Sequence, residues 1–201
     1  MLITGIKSKP VYAPLRADPA GRYHLMLGFG PGAAALLRVL GEMRSSAPQA
    51  LEATRLLIVP ETPQTGDQFK PFGLAELNQF AGAASLLETF RTVLDRSLMG
   101  TRLYVAGPES FIGLAMQIAL EFDLNKDEIR AEEMGSLARR VYCVHCRATS
   151  EAVRTNIVRC AGCERWLLVR DHYSRRLAAY MGVMVDAEAP GELPPVKEIY
   201  L

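Results

Sequence analysis

The sequence predicts an α/β protein: a parallel sheet with flanking helices, followed by a small module built on four cysteines. Three observations carry this. Apolar runs at Tyr23–Leu27, Arg55–Val59 and Arg102–Ala106 alternate with segments of helical composition, the order that produces parallel strands joined by right-handed crossovers. The first run ends in Gly28-Phe29-Gly30-Pro31-Gly32 directly before a helical stretch, a strand–turn–helix signature. All four cysteines crowd together, as Cys143-Val-His-Cys146 and Cys160-Ala-Gly-Cys163. A length of 201 residues suits one ordinary domain with an appendage. The composition shift near residue 140 divides the chain into domains at 1–138 and 139–201.

Each element has a local reason. Residues 1–20, with Pro10, Pro14 and Pro19, read as an irregular or edge-strand lead-in. After the first strand, Ala33–Met43 is rich in Ala and Leu and reads as a helix. Pro60-Glu61-Thr62-Pro63 closes the second strand, and the Pro, Gly, Gln and Asp over 60–73 predict a loop. Leu74 to about Leu98 predicts one or two helices ended near Gly100. The third strand stops at Gly107-Pro108-Glu109-Ser110. Helix Phe111–Asp123 then places Ile112, Ala115, Met116, Ala119 and Leu120 on one face, and Asp127–Glu132 reads as an edge strand. Beyond Val141 the pattern is knuckle, strand, knuckle, strand, with strands at Asn156–Arg159 and Trp166–Arg170. Asp171 is then expected to cap a short helix over Tyr173–Met184. The proline-bearing, acidic tail from Asp186 to Leu201 reads as extended, on the surface or along a partner.

Composition excludes several function classes. The chain holds 23 Lys+Arg against 22 Asp+Glu, so bulk charge does not build a nucleic-acid surface. A zinc-ribbon nucleic-acid module is therefore the least favoured reading, and no nucleic acid is expected as a partner. A hydrophobic fraction of 49% is enough for a core. No apolar run is long enough to span a bilayer, and the N-terminus lacks a signal-like apolar region. The expectation is a soluble, cytoplasmic protein with no membrane partner.

In a cytosolic chain, paired cysteines at this spacing read as a metal site and not as a disulfide framework. Cys143, Cys146, Cys160 and Cys163 satisfy a tetrahedral ion completely, so the site is expected to be structural, with zinc as the favoured occupant. Mononuclear iron on the same sulfurs is the alternative and would make the module an electron carrier. His145 and His172 lie near the ligands and His24 elsewhere; none is needed to complete the set. Neighbours in sequence such as Asp171, His172 and Ser174 do not assemble a catalytic triad, which needs convergence from separate elements.

The glycine turn, with Tyr104-Val105-Ala106-Gly107-Pro108-Glu109-Ser110-Phe111 and Lys126–Glu133, resembles the pyridine-nucleotide domain of ferredoxin–NADP reductases, here truncated. That resemblance implies a nucleotide site at Gly28, Gly30, Gly32, Ala106, Gly107 and Pro108, for NADPH. Ala106 stands where that family has a cysteine, and Pro60-Glu61 stands where users of NADP place residues for the 2′-phosphate. The site is therefore expected to be vestigial or weak.

A second resemblance rests on Tyr142–Cys146, Arg159–Cys163, Leu168–Arg176, Ala179–Glu188 and Pro190-Gly191-Glu192. In combination these are similar to the DmmA-type small-subunit family of bacterial dimethylamine monooxygenases. That resemblance implies an assembly that converts dimethylamine to methylamine and formaldehyde with NADPH and O2. It implies a haem-bearing catalytic subunit, a reductase-like subunit with FMN and a [2Fe-2S] cluster, and a subunit that binds tetrahydrofolate. The expectation for this chain is an accessory, non-catalytic subunit. The alternative is a redox subunit that relays electrons through iron or docks NADPH. Arg170, His172, Tyr173, Arg175, Arg176 and Tyr180 form the expected contact surface.

Overall fold

A computed structural model describes residues 8–201. The described residues divide into two units, one of residues 12–135 and one of residues 136–201 together with residues 8–11. The composition shift alone places the division between residues 138 and 139.

In the first unit, β1 (Tyr23–Phe29) runs into α1 (Gly32–Ser46), and a short 3₁₀ turn leads to β2 (Thr54–Val59). Then come α2 (Pro63–Asp67), β3 (Glu76–Gln79), α3 (Ala83–Asp95), β4 (Thr101–Gly107), α4 (Glu109–Glu121) and β5 (Ile129–Glu133). The sheet order is β3-β2-β1-β4-β5, and every pairing is parallel. The chain therefore winds outward from β1 to β3, returns, and winds the other way, which leaves a switch point between β1 and β4.

Strand alternation feeds both faces. Leu25 and Leu27 point into a cluster with Leu86 and Phe90 of α3 and Ile112 and Ala115 of α4. Met26, between them, joins Leu36, Val39 and Leu40 of α1 on the other face. The lead-in forms no strand over residues 8–20. Instead Leu15 is buried on the α1 face, and its amide donates to the Glu132 carboxylate at 2.6 Å. Asp18 receives Arg102 at 3.1 Å and Arg130 at 3.2 Å.

Three expectations in this unit are corrected. The stretch 60–73 holds α2, capped by Thr62 Oγ1 accepting from the Thr65 amide at 3.2 Å, and a 3₁₀ turn over Lys70–Phe72. The stretch taken as wholly helical opens with β3, a four-residue edge strand whose sequence, ELNQ, carries one apolar side chain. On α4, Leu120 is exposed and Phe111 and Ile118 are buried in its stead.

The second unit is a five-stranded sheet of β6 (Arg139–Cys143), β7 (Thr149–Val153), β8 (Ile157–Arg159), β9 (Trp166–Ser174) and β10 (Ala179–Met184). Its order is β7-β6-β10-β9-β8; β6 and β10 pair in parallel and the rest antiparallel. The helix expected over Tyr173–Met184 is thus a β-hairpin. Inward alternation of Leu167, Val169 and Tyr173 carries β9 through to Ser174, and Ala178 turns the chain with φ +46°. Gly182 within β10 leaves no room for a side chain: a Cβ there would come within 2.8 Å of Val141 Cγ1.

The contact surface expected on that helix is corrected with it. Tyr173 and Tyr180 are buried and pack edge-to-face at 5.0 Å. The tail is extended, but its end docks on its own sheet: the Ile199 and Tyr200 amides donate to the Arg154 carbonyl. Arg139 lies between the Tyr180 and Tyr200 rings, 3.9 and 3.8 Å from their centroids, and reaches Asp171 at 2.7 Å.

Candidate metal centre and the glycine turn

Two knuckles with the same backbone plan build the sulfur cluster. Cys143 ends β6 and Cys160 follows β8, and each begins a tight turn. The Arg147 amide donates to the Cys143 carbonyl at 2.9 Å, and the Glu164 amide to the Cys160 carbonyl at 3.1 Å. The Cys143 amide donates to Ala148 and the Cys160 amide to Arg165, each at 2.9 Å. Arg147 and Glu164 both take left-handed φ, +68° and +61°. Gly162 is required here, because a Cβ would press on Ala148 Cβ at 2.7 Å and Cys146 Sγ at 3.0 Å.

The four sulfurs lie within 4.8 Å of one another. Cys143 and Cys163 are 3.8 Å apart and Cys146 and Cys160 are 3.5 Å apart. A tetrahedral ion with metal–sulfur bonds of about 2.3 Å needs sulfurs about 3.8 Å apart. The donor set therefore fits a single metal ion. The thiols are pulled in opposite directions: against a hydrogen bond with the Ala148 backbone, burial and the hydrogen bonds to the other three cysteines push the Cys146 thiol up to about 11. The Arg165 amide and guanidinium hold the Cys163 thiol down to about 6. The Gly162 amide also points at Cys160 Sγ, at 3.4 Å. Arg165, Gly162 and the two left-handed residues were not singled out from sequence. The signal that could have found them is the repeat of one six-residue knuckle, Cys143–Ala148 and Cys160–Arg165. His145 stays outside the cluster, its Nε2 accepting from the Met184 amide at 3.2 Å.

The other candidate residues meet at the carboxyl ends of β1 and β4, where Gly28 pairs with Ala106. Gly32 is there for packing, since a Cβ would overlap the Ala106 carbonyl. Gly30 has φ +52°, and its amide donates to the Val59 carbonyl at 2.8 Å. The Ala33 and Ala34 amides turn back to the Gly30 and Pro31 carbonyls, both at 3.1 Å. Gly107, at φ +157°, packs on Phe29 and Phe111, and Pro108 opens α4. Glu61 stands beside the turn, its Cγ 3.7 Å from where a Gly30 Cβ would be. A carboxylate there would repel a phosphate brought beside it.

These features define a class: a parallel α/β domain followed by a four-thiolate module of the zinc-ribbon or rubredoxin kind. Comparison with known proteins takes the definition further, and the chain belongs to the dimethylamine monooxygenase subunit DmmA-like family. The N-terminal domain of that family matches residues 4–129, and its C-terminal domain matches residues 140–183. A relative, the heme-dependent oxidative N-demethylase delta subunit of Ectopseudomonas mendocina (strain ymp), is 35% identical over 114 residues. That match spans 57% of this chain and 65% of the relative's own length. Among solved structures, the ferredoxin reductase of carbazole 1,9a-dioxygenase in its FAD apo form is similar at 16% identity and TM-score 0.45. It covers 61% of this chain and 34% of its own. The Amycolatopsis cytochrome P450 reductase GcoB is similar at 12% identity and TM-score 0.43, covering 58% of this chain and 38% of its own.

Proposed function

We propose that this chain is a non-catalytic subunit of an oxidative N-demethylase acting on dimethylamine with NADPH and O2. The observation that carries this reading is the closed sulfur set, in a chain of this family. Four thiolates fill a tetrahedral ion and leave no position for substrate or oxygen, so Cys143, Cys146, Cys160 and Cys163 hold the ion for structure. Zinc supplies there a fixed cross-link between two knuckles. The α/β domain serves as a packing body and not as an NADPH site, in keeping with Glu61 beside the glycine turn. Oxygen chemistry, electron delivery and formaldehyde capture then belong to partner subunits that carry haem, FMN with a [2Fe-2S] cluster, and tetrahydrofolate.

Co-expression with the other subunits, followed by purification and metal analysis, tests the reading. The expected result is a stoichiometric complex with one zinc per copy of this chain. A chain that purifies alone from cells making all the subunits, or one that carries visible thiolate–iron absorption, contradicts it.

A further inference from the structure

Open parallel sheets take ligands at the carboxyl ends of their strands, where the strand order reverses, and hold phosphate on unspent amides at a helix N-terminus. In the α/β unit that place lies over Gly28 of β1 and Ala106 of β4. Its amides are already committed. Gly30 donates to Val59, and Ala33 and Ala34 fold back on Gly30 and Pro31. Pro31 itself has no N–H to offer.

The chain also crosses the gap. On leaving β5, the Met134 amide donates to the Gly107 carbonyl at 2.8 Å, at the end of β4. The next residue, Gly135, sits against the turn that opens α1: its φ is +89°, and a Cβ there would come within 3.2 Å of Pro31 Cγ. Met134 packs on the cluster that contains Leu36 and Ala106. Two consecutive residues thus bridge the end of β4 and the start of α1. At the start of α4 the lead-in reaches in as well, the Tyr12 hydroxyl donating to the buried Glu109 carboxylate at 3.5 Å. Gly28, Gly30, Gly32, Ala106 and Gly107 are all buried, and Pro108 is half-buried. Those are the residues that the reductase resemblance assigns to the nucleotide, and five of the six offer it next to no surface.

We infer that Met134–Gly135 is a main-chain strap across the switch point, and that it shuts the α/β unit to dinucleotides, NADH as well as NADPH. A carboxylate such as Glu61 repels phosphate and is reversed by one substitution. A strap excludes by its backbone, so reversing the charge beside it leaves the edge shut. Opening it breaks the Met134–Gly107 hydrogen bond and uncovers the Met134 side chain, with nothing in exchange until a ligand arrives. The fold of a nucleotide domain is kept while its binding edge is used for packing. This rests on the reading of the α/β domain as a packing body and supplies the physical cause of it.

The test titrates the full chain, purified with its metal, with NADPH, NADH and ADP, and repeats the titrations on Glu61→Arg. Calorimetry is expected to show no saturable binding of any of the three at millimolar concentration, by either protein. The Met134 amide is expected to exchange slowly with solvent, as a hydrogen-bonded backbone group does, and at the same rate when NADPH is added. Should wild type bind NADH or ADP but not NADPH, the strap is wrong and the exclusion of NADPH stands. Should Glu61→Arg gain NADPH binding that wild type lacks, charge and not backbone closes the edge, and again only the strap falls. Binding of NADPH by wild type overturns both, and rapid exchange at Met134 overturns the strap without any ligand. If Glu61→Arg fails to fold, the wild-type titrations and the exchange rate decide.

Discussion

The two units of this chain are held together by different physics. The α/β unit buries fifteen residues in a cluster on one face of its sheet and fourteen on the other. The C-terminal unit, also five-stranded, has clusters of six and three, and two of those three are cysteines. Burial of large apolar side chains, at about 1.5–3 kcal/mol each, is therefore spread over many residues in the first unit and rests on few in the second. What the C-terminal unit lacks in core it makes up at two polar foci: the sulfur cluster at one end and Arg139 between two tyrosines in the interior. A domain with few apolar residues has to concentrate its stability in cross-links, so single substitutions there cost more than in a distributed core.

The largest expected effect follows directly. Cys160→Ser removes one ligand, and with it most of a metal contribution on the order of 10 kcal/mol. The variant should purify without stoichiometric metal, while its α/β helices persist by circular dichroism. The converse perturbation is smaller and lies in the other unit. Phe90→Ala, at a fully buried site on α3, should destabilise the α/β unit by about 3–5 kcal/mol and leave metal content unchanged.

The smallest effect is a pH dependence confined to the α/β unit. His24 is buried beside Tyr104, its Nδ1 3.3 Å from the phenol oxygen. Burial lowers its pKa, against the attraction of Asp18. The unfolded chain takes up the proton near the ordinary value of about 6.5, and the folded chain only at lower pH. The stability from keeping His24 neutral is therefore complete above that value and is lost as pH falls through the lowered one. The thermal midpoint of the α/β unit should fall over that window, and His24→Phe should flatten the fall.

The same contrast explains what could be seen in the sequence. β1, β2 and β4 are legible because runs such as Leu25-Met26-Leu27 and Leu56-Leu57-Ile58 are apolar on both faces, as buried parallel strands must be. β3 is hidden because an edge strand with one apolar residue in four has no such run. The hairpin of β9 and β10 is hidden because its turn uses Ala178 in the left-handed region where a glycine would announce it. The sulfur cluster was visible in full, since ligand spacing is a local property of the chain.

Amide hydrogen exchange on the wild-type chain and the Cys160→Ser variant, read strand by strand, tests the central claim most directly. The account requires that β6 to β10 lose protection in the variant while β1 to β5 exchange at the wild-type rate. Protection retained across β6 to β10 without metal would show that the four sulfurs do not hold this unit together.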